Sequence, residues 1–217
     1  MIATVILTGL LMISYGAGVV GLADLSSKTP VYEFNQWRSG QLVPDQRQLA
    51  AMQMALVSAH KLDPQNPSVL ELLGCLDAEM AVHGLSVDAR TSRLQSLAWF
   101  GMALKRRPTS GSAWLNMALT KYQLGQIDAE FSLALQQAQY RGPWDAQVQL
   151  GVIELGLASW RELPASARST TRQAIRTQGQ WRQVNQRSAL LAMLARYQRS
   201  DLVCLLDPLI QACPAVS

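Results

Sequence analysis

Beyond residue 45 the chain is patterned for helices that are separated by prolines. Apolar residues recur at a spacing of three and four, which places them on one face of a helix. The first such set is Leu49, Met52, Ala55, Leu56 and Ala59. Prolines at 64, 67, 108, 143 and 164 fall between the helical runs, where a residue without a backbone N–H is tolerated. We find no convincing strand pattern from residue 46 onward, so the spacing predicts an all-α protein.

The first 23 residues contain no charged side chain, and Asp24 is the first. A helix of that length spans a hydrocarbon core of roughly 30 Å at about 1.5 Å per residue. The triplet Gly21-Leu22-Ala23 also has the small-x-small pattern that precedes a signal-peptide cleavage site. We therefore predict that residues 1–23 are a membrane anchor, with a cleaved signal as the alternative, and that 24–45 form a junction.

The side of the membrane is left open by two opposing signals. Lys28 and Arg38 follow the apolar segment and no basic residue precedes it, which favours a cytoplasmic body. Cys204 and Cys213 are nine residues apart, a loop that a disulfide could close in an oxidising compartment, although two unrelated buried thiols fit equally well. We expect an inner-membrane protein with one N-terminal span and a periplasmic body, and keep the cytoplasmic side as the alternative.

Short motifs recur around the prolines. Ser96, Phe100, Ala103 and Pro108 are followed by Trp114, Ala118 and Gly125, and they are preceded by Leu70, Leu73 and Gly74. In order and spacing these residues resemble the tetratricopeptide repeat, whose units are antiparallel helix pairs. Small residues let paired helices approach, and aromatic residues fill the groove between neighbouring pairs. The spacing from Gly74 to Ser96 exceeds that of the repeat, which predicts about ten extra residues in a turn near 80–90.

The resemblance implies helical repeats over 46–160, followed by an arginine-rich helical region over 161–217. Repeat arrays bind partners through extended concave surfaces and carry no chemistry of their own. Asn116, Lys121 and Tyr122 are the candidate partner-binding residues of such a surface.

A narrower resemblance rests on the central block of the chain. Its motifs lie at residues 107–109, 113–119, 128–131, 142–144, 148–150 and 154–157. Together with the apolar start and the cysteine-bearing end, they resemble the VpsP-type proteins, a bacterial family encoded with exopolysaccharide biosynthesis and export genes. The resemblance implies a membrane-associated helical accessory protein without assigned catalytic residues.

The residues that carry chemistry are few. His60 and His83 lack a second ligand at metal-binding spacing, and no P-loop or nucleophile-elbow motif is present, so we expect no metal, no cofactor and no catalytic residue. Asp128 and Glu130 are the best carboxylates for an enzyme. Two apart on a helix, however, they face different directions, and a helix N-terminus explains them better.

Positive charge is concentrated between Arg161 and Arg199, a stretch with eight arginines and one glutamate, whereas the whole chain has a net charge of +4. Arg168, Arg172 and Arg176 are four apart and therefore share a helix face, which makes them candidates for binding an anion such as an acidic polysaccharide or a lipid headgroup. Aromatic interleaving is too sparse to indicate nucleic acid.

The function that these patterns favour is a membrane-anchored scaffold or assembly factor for exopolysaccharide biosynthesis or export, which binds protein partners of the cell envelope. The alternatives are a repeat adaptor of a pilus or secretion apparatus, a direct binder of acidic glycan through the arginine stripe, and a polysaccharide-modifying enzyme that uses Asp128 or Glu130.

Overall fold

The computed structural model describes the backbone of residues 45–179 and 184–206, and the side chains of residues 45–178 and 187–206. All regular structure in this part of the chain is helical, which confirms the all-α prediction. The α-helices are α1 (Gln46–Leu62), α2 (Pro67–Val82), α3 (Ala89–Arg106), α4 (Gly111–Gln123), α5 (Ala129–Arg141), α6 (Ala146–Ala158), α7 (Ala165–Gly179) and α8 (Val184–Arg196). A 3-10 helix, Ser200–Leu206, follows α8.

The chain divides into two compact units between Arg107 and Pro108. In the first unit α2 packs along α3, and α1 packs on α2 around a core that includes Leu49, Met52, Leu56 and Leu73. The expected long turn near 80–90 is not present in that form. Helix α2 continues to Val82 and α3 begins at Ala89, so the extra residues lengthen the two helices to 16 and 18 residues, whereas α4 and α5 have 13 each.

In the second unit α4 packs on α5 and α6 on α7, while α6 also contacts α4, α5 and α8. The 3-10 helix packs on α7 and α8. The largest fully buried side chains of this unit include Phe131, Leu135, Ile153, Ile175 and Leu194. The sequence-based boundary at residues 160/161 therefore falls inside this unit, between two helices that pack on each other.

Three helix junctions have the same construction. Helices α1, α3 and α5 end at Asp63, Arg107 and Gly142, whose N–H groups donate to the carbonyls of Ala59, Ala103 and Ala138. Each of these alanines is fully buried. A proline follows each end, and the N-caps of the next helices come two residues later, at Asn66, Ser110 and Asp145. The proline stops one helix, and the capping side chain satisfies the first N–H groups of the next.

A second construction ends α2, α4 and α8. In each, a residue with positive φ follows the helix: Gly84 at 67°, Gly125 at 71° and Gln198 at 55°. The next N–H then donates back five residues, as from Gln126 to the carbonyl of Lys121 at 2.9 Å. This is the Schellman motif, which satisfies the last carbonyls of a helix. Glycine takes this backbone conformation without strain, whereas Gln198 does not.

Two pairs of consecutive helices meet at a glycine. A Cβ on Gly74 of α2 would lie 2.8 Å from the Phe100 ring of α3, and the Ser96 hydroxyl donates to the Gly74 carbonyl at 2.8 Å. In the second unit a Cβ on Gly156 of α6 would overlap the Thr171 hydroxyl of α7. Both sites need a residue without a side chain because the partner helix occupies that space.

Residues 1–23, the predicted anchor, lie outside the described residues. Among the described helices, none combines the length and the apolar character that a bilayer crossing needs.

Candidate functional site

The candidate partner-binding residues occupy three different environments on α4. Asn116 is half-buried, Tyr122 has 38% of its surface exposed, and Lys121 only 3%. Tyr197, which follows α8, lies close to Tyr122 and to Glu154 of α6. Burial and then the Glu154 carboxylate and the Tyr122 phenol raise the pKa of Tyr197. Three parts of the chain thus place polar and aromatic side chains on one surface, which we call the tyrosine surface.

Arg196 adds a positive charge to the tyrosine surface. Its guanidinium lies 3.6 Å from the Glu154 carboxylate, and both side chains are well exposed. An exposed pair of this kind contributes little stability, because water screens it and ordering two long side chains costs entropy. Its charges therefore remain able to exchange partners at little cost.

Lys121 lies beneath the surface and faces the start of α5. Its ammonium lies 2.7 Å from the Glu130 carboxylate and 2.9 Å from that of Asp128. Burial alone would lower the pKa of Lys121, but the hydrogen bonds and charges of Glu130 and Asp128 outweigh it, so the pKa is raised. The amine is therefore charged and already paired, which leaves it poorly placed to contact a partner.

Asp128 and Glu130 converge, contrary to the expectation from their spacing. Asp128 is the N-cap of α5, with extended backbone, and its carboxylate accepts from the Phe131 N–H at 2.9 Å. Because the cap lies outside helical geometry, its side chain can reach the same ammonium as Glu130. Burial would raise the pKa of Asp128, but the Phe131 N–H and Lys121 lower it overall. The prediction that these carboxylates lie at a helix N-terminus is confirmed.

Asp128 also borders an open cavity of about 440 Å³ between α5 and α7. Its other polar lining side chains are Ser132, Gln136 and Ser166. A carboxyl with a lowered pKa is a poor proton donor near neutral pH. The cavity therefore presents one ionised acid and three neutral polar groups.

The arginine stripe separates into different environments. Arg168 and Arg172 lie over the Trp160 ring, with guanidinium carbons 5.8 Å and 5.4 Å from its centroid. Arg176 lies one turn further along α7 and is half-buried. Arg199, which sequence reasoning did not single out, lies closest to the ring, at 4.0 Å. Helical spacing predicted that these arginines share a face of α7, but it could not predict that they pack on the Trp160 indole.

The remaining chemistry-bearing residues are dispersed. Cys204 lies in the 3-10 helix and Cys213 lies outside the described residues, so their pairing stays a prediction. Cys75 is half-buried in α2. His83 lies 3.7 Å from Glu79, and within residues 45–179 and 184–206 no three His, Cys, Asp or Glu side chains are grouped as a metal site.

One half-buried acid was missed by sequence reasoning. Asp77 of α2 accepts a hydrogen bond from the Trp99 indole N–H at 3.0 Å, and burial raises its pKa to about 6 despite that bond. The His60 ring also packs edge-on against Trp99, with 5.2 Å between the ring centroids. Because Asp77 and Trp99 are 22 positions apart in sequence, no local pattern reveals this contact.

A scan against protein-family models finds no match for this chain, and a search of curated proteins finds none either.

Proposed function

We propose that this protein is a helical-repeat scaffold that binds a protein partner on the tyrosine surface. The proposal includes the setting implied by the VpsP-type resemblance: an assembly role in bacterial exopolysaccharide biosynthesis or export, with residues 1–23 as the membrane anchor. In this proposal α2/α3, α4/α5 and α6/α7 are repeat units, and α8 begins the next one.

The repeat interpretation is supported by the ends of the helices. The second helices α3 and α5 end in the same alanine, proline and N-cap construction, at Ala103–Ser110 and at Ala138–Asp145. First helices α2, α4 and α8 are each followed by a residue in the left-handed conformation, whereas α6 ends at Ser159 without one. Tandem units with a common ancestry or common packing would produce matching helix ends of this kind.

The observation that carries the binding proposal is the tyrosine surface itself. Tyr122, Glu154 and Tyr197 come from α4, α6 and the end of α8, which are the first helices of successive units. Stacked repeats place equivalent helices side by side, so their exposed side chains form one extended surface. Tyrosine and arginine supply much of the energy at protein interfaces, because each combines apolar area with hydrogen bonding. Asn116 and Tyr122 remain candidate contacts, whereas Lys121 supports the surface from below.

A photo-crosslinking experiment tests the surface. A benzophenone amino acid replaces Tyr122 in cells that make the polysaccharide, and the same residue replaces Tyr140 of α5 as the control. Tyr140 is the more exposed, at 68% against 38%, so random collisions favour the control. We expect a discrete adduct from position 122 and none from position 140. Equal labelling at both positions would exclude the tyrosine surface.

The biological setting has a separate test. Pull-down from native membranes should recover proteins of the polysaccharide machinery, and clean recovery of none would contradict the proposal. Deleting the gene should reduce surface polysaccharide while pili and secreted proteins are unchanged. Loss of pili or secretion instead would favour an adaptor of those systems.

A further inference from the structure

The Trp160 indole lies in the turn after α6 and gathers guanidinium groups from two parts of the second unit. Arg168 and Arg172 come from α7, and Arg199 comes from the segment between α8 and the 3-10 helix. The indole is half-buried, which leaves part of the cluster open to water. Each cation gains from the negative face of the ring, by about 0.5–1 kcal/mol at exposed sites.

Two of these arginines are held in place by other groups. Arg168 donates to the carbonyl oxygens of Trp160 and Arg161, at 3.0 Å and 3.3 Å, and so satisfies carbonyls beyond the end of α6. The Nε of Arg199 donates to Asp201 at 2.7 Å, and its Nη2 contacts the second oxygen of the same carboxylate. The fork of Arg199 is therefore occupied by an internal anion, and its direction is fixed.

Arg172 differs from both. Its side chain is exposed, and within residues 45–179 and 184–206 no hydrogen bond or ion pair ends on its guanidinium. The Arg172 charge nevertheless acts on Asp201. Arg199 lowers the pKa of that carboxyl through a hydrogen bond and its charge, and the Arg172 charge lowers it to a lesser degree. The cluster thus holds three guanidiniums and one carboxylate, which leaves an excess of two positive charges.

We propose that Arg172, together with Arg168 and Arg199 around Trp160, binds a phosphate group. The guanidinium fork matches the oxygens of phosphate, and hydrogen bonds between two charged groups are the strong ones. A phosphate monoester carries close to two negative charges at neutral pH, which balances the excess charge of the cluster. A sugar carboxylate carries one charge and leaves half of the excess uncompensated. The proposal uses none of the residues of the tyrosine surface and does not rest on it.

The test uses the full-length chain in nonionic detergent at low ionic strength, with inorganic phosphate as the probe in a calorimetric titration. The matched variants are Arg172→Gln and Arg187→Gln, which remove the same charge from α7 and from an exposed position on α8. We expect Arg172→Gln to raise the Kd about tenfold, the effect of losing a charged hydrogen bond, and Arg187→Gln to change it less than twofold. Equal effects from both variants, or no saturable binding by the parent chain, would overturn the proposal.

A third variant gives a gain rather than a loss. Asp201→Asn removes the internal carboxylate and frees the fork of Arg199, so we expect phosphate to bind several-fold more tightly, with circular dichroism to confirm folding. Weaker binding by a folded variant would contradict the charge balance on which the site rests.

Two further probes distinguish the source of the phosphate and the charge requirement. Glucose 1-phosphate binding as tightly as inorganic phosphate, or more tightly, supports a phosphorylated sugar as the source. Galacturonate, with its single carboxylate, should bind at least several-fold more weakly, and equal affinity would overturn the preference for a dianion.

Discussion

The two units place opposite charges at the same point of their helices. Asp77 lies eleven residues after the N-cap of α2, and Lys121 lies eleven residues after the N-cap of α4. Each faces the next helix in the chain, but their partners differ. Asp77 receives one neutral N–H from Trp99, whereas Lys121 meets the carboxylates of Asp128 and Glu130. Burial consequently dominates at Asp77 and raises its pKa to about 6, while the ion pairs dominate at Lys121.

The comparison shows that helix register can be kept while the contact at one position is exchanged. The eleventh residue after the N-cap of α6 is Gly156, which meets the Thr171 side chain of α7. A half-buried acid, a buried base and a glycine therefore occupy one register position. The opposite helix supplies a hydrogen-bond donor to Asp77 and counter-charges to Lys121, and it leaves no room for a side chain at Gly156.

The largest effect is expected where the opposite helix leaves no space. Gly156→Ala places a methyl group on the Thr171 hydroxyl, which itself donates to the Ala167 carbonyl at 3.1 Å. We expect a loss of about 3 kcal/mol in the free energy of unfolding, the upper range for overpacking. Urea denaturation followed by circular dichroism measures it. The double variant Gly156→Ala, Thr171→Ala should recover most of the loss, and no recovery would locate the strain elsewhere.

Loss of the Lys121 ion pairs should have the second-largest effect on stability. Lys121→Met keeps the volume of the buried stem but leaves two carboxylates without their cation. Their side chains are 51% and 57% exposed, so water replaces part of the interaction, and we expect a loss of about 2 kcal/mol. Lys105→Met, at an exposed position of α3, is the control and should change stability by less than about 0.5 kcal/mol. Equal effects in urea unfolding would show that Lys121 is not a structural cation.

Ionisation of Asp77 should make the protein less stable as the pH rises. Because burial raises its pKa from 3.8 to about 6, folding disfavours the ionised form. This acid therefore costs nothing at pH 3.5, and its cost grows as the pH rises toward 6 and stays constant above that. Asp77→Asn retains an acceptor for the Trp99 N–H without the charge. We expect it to stabilise the protein by about 1 kcal/mol at pH 7.5, after allowance for partial exposure.

The check is the free energy of unfolding of both proteins at pH 4 and pH 7.5. The variant and the parent should be nearly equal at pH 4 and should diverge at pH 7.5. A constant difference between them, whatever the pH, would mean that Asp77 does not titrate in this range.

The smallest effect concerns the ends of the same helices. Gly84 and Gly125 take the left-handed conformation after α2 and α4, but Gln198 takes it after α8. Gln198→Gly should relieve strain of about 1 kcal/mol, partly offset by the greater freedom of glycine in the unfolded chain, for a net gain of about 0.5 kcal/mol. Gln173→Gly, an exposed position inside α7, is the contrast and should lose about 1 kcal/mol in the same urea assay. A loss at Gln198 as well would show that its side chain contributes contacts.

Much of the fold could be predicted from local patterns. The prolines at 64, 108 and 143 mark the helix junctions, and the small residues Gly74 and Ser96 lie where α2 and α3 approach closely. Phe100 packs on Gly74 within this pair, whereas the sequence predicted it in the groove between neighbouring pairs. The location of the extra residues near 80–90 was wrong, since helices α2 and α3 absorb them. A count of residues between two motifs gives the length of the insertion but not its conformation, because helix propensity continues across it.

The candidate sites were predicted less completely. Shared faces of one helix follow from the 3.6-residue period, as for Arg168 and Arg172. Contacts between helices do not, and so the partners of Lys121 and the approach of Arg199 to Trp160 were missed. The convergence of Asp128 and Glu130 was also missed, because the helical period does not apply to a capping residue.

The sequence by itself determined the all-α class, the helix junctions and the unequal distribution of charge, since these depend on period, proline and composition within short stretches of chain. The tertiary structure alone decided which charges are paired and which are exposed. Lys121 and Arg172 are both basic residues on helices, but one is buried between two carboxylates and the other faces water beside two guanidiniums. The physical reason is that charge pairing depends on distances of a few ångströms between side chains far apart in sequence, and only packing brings these together.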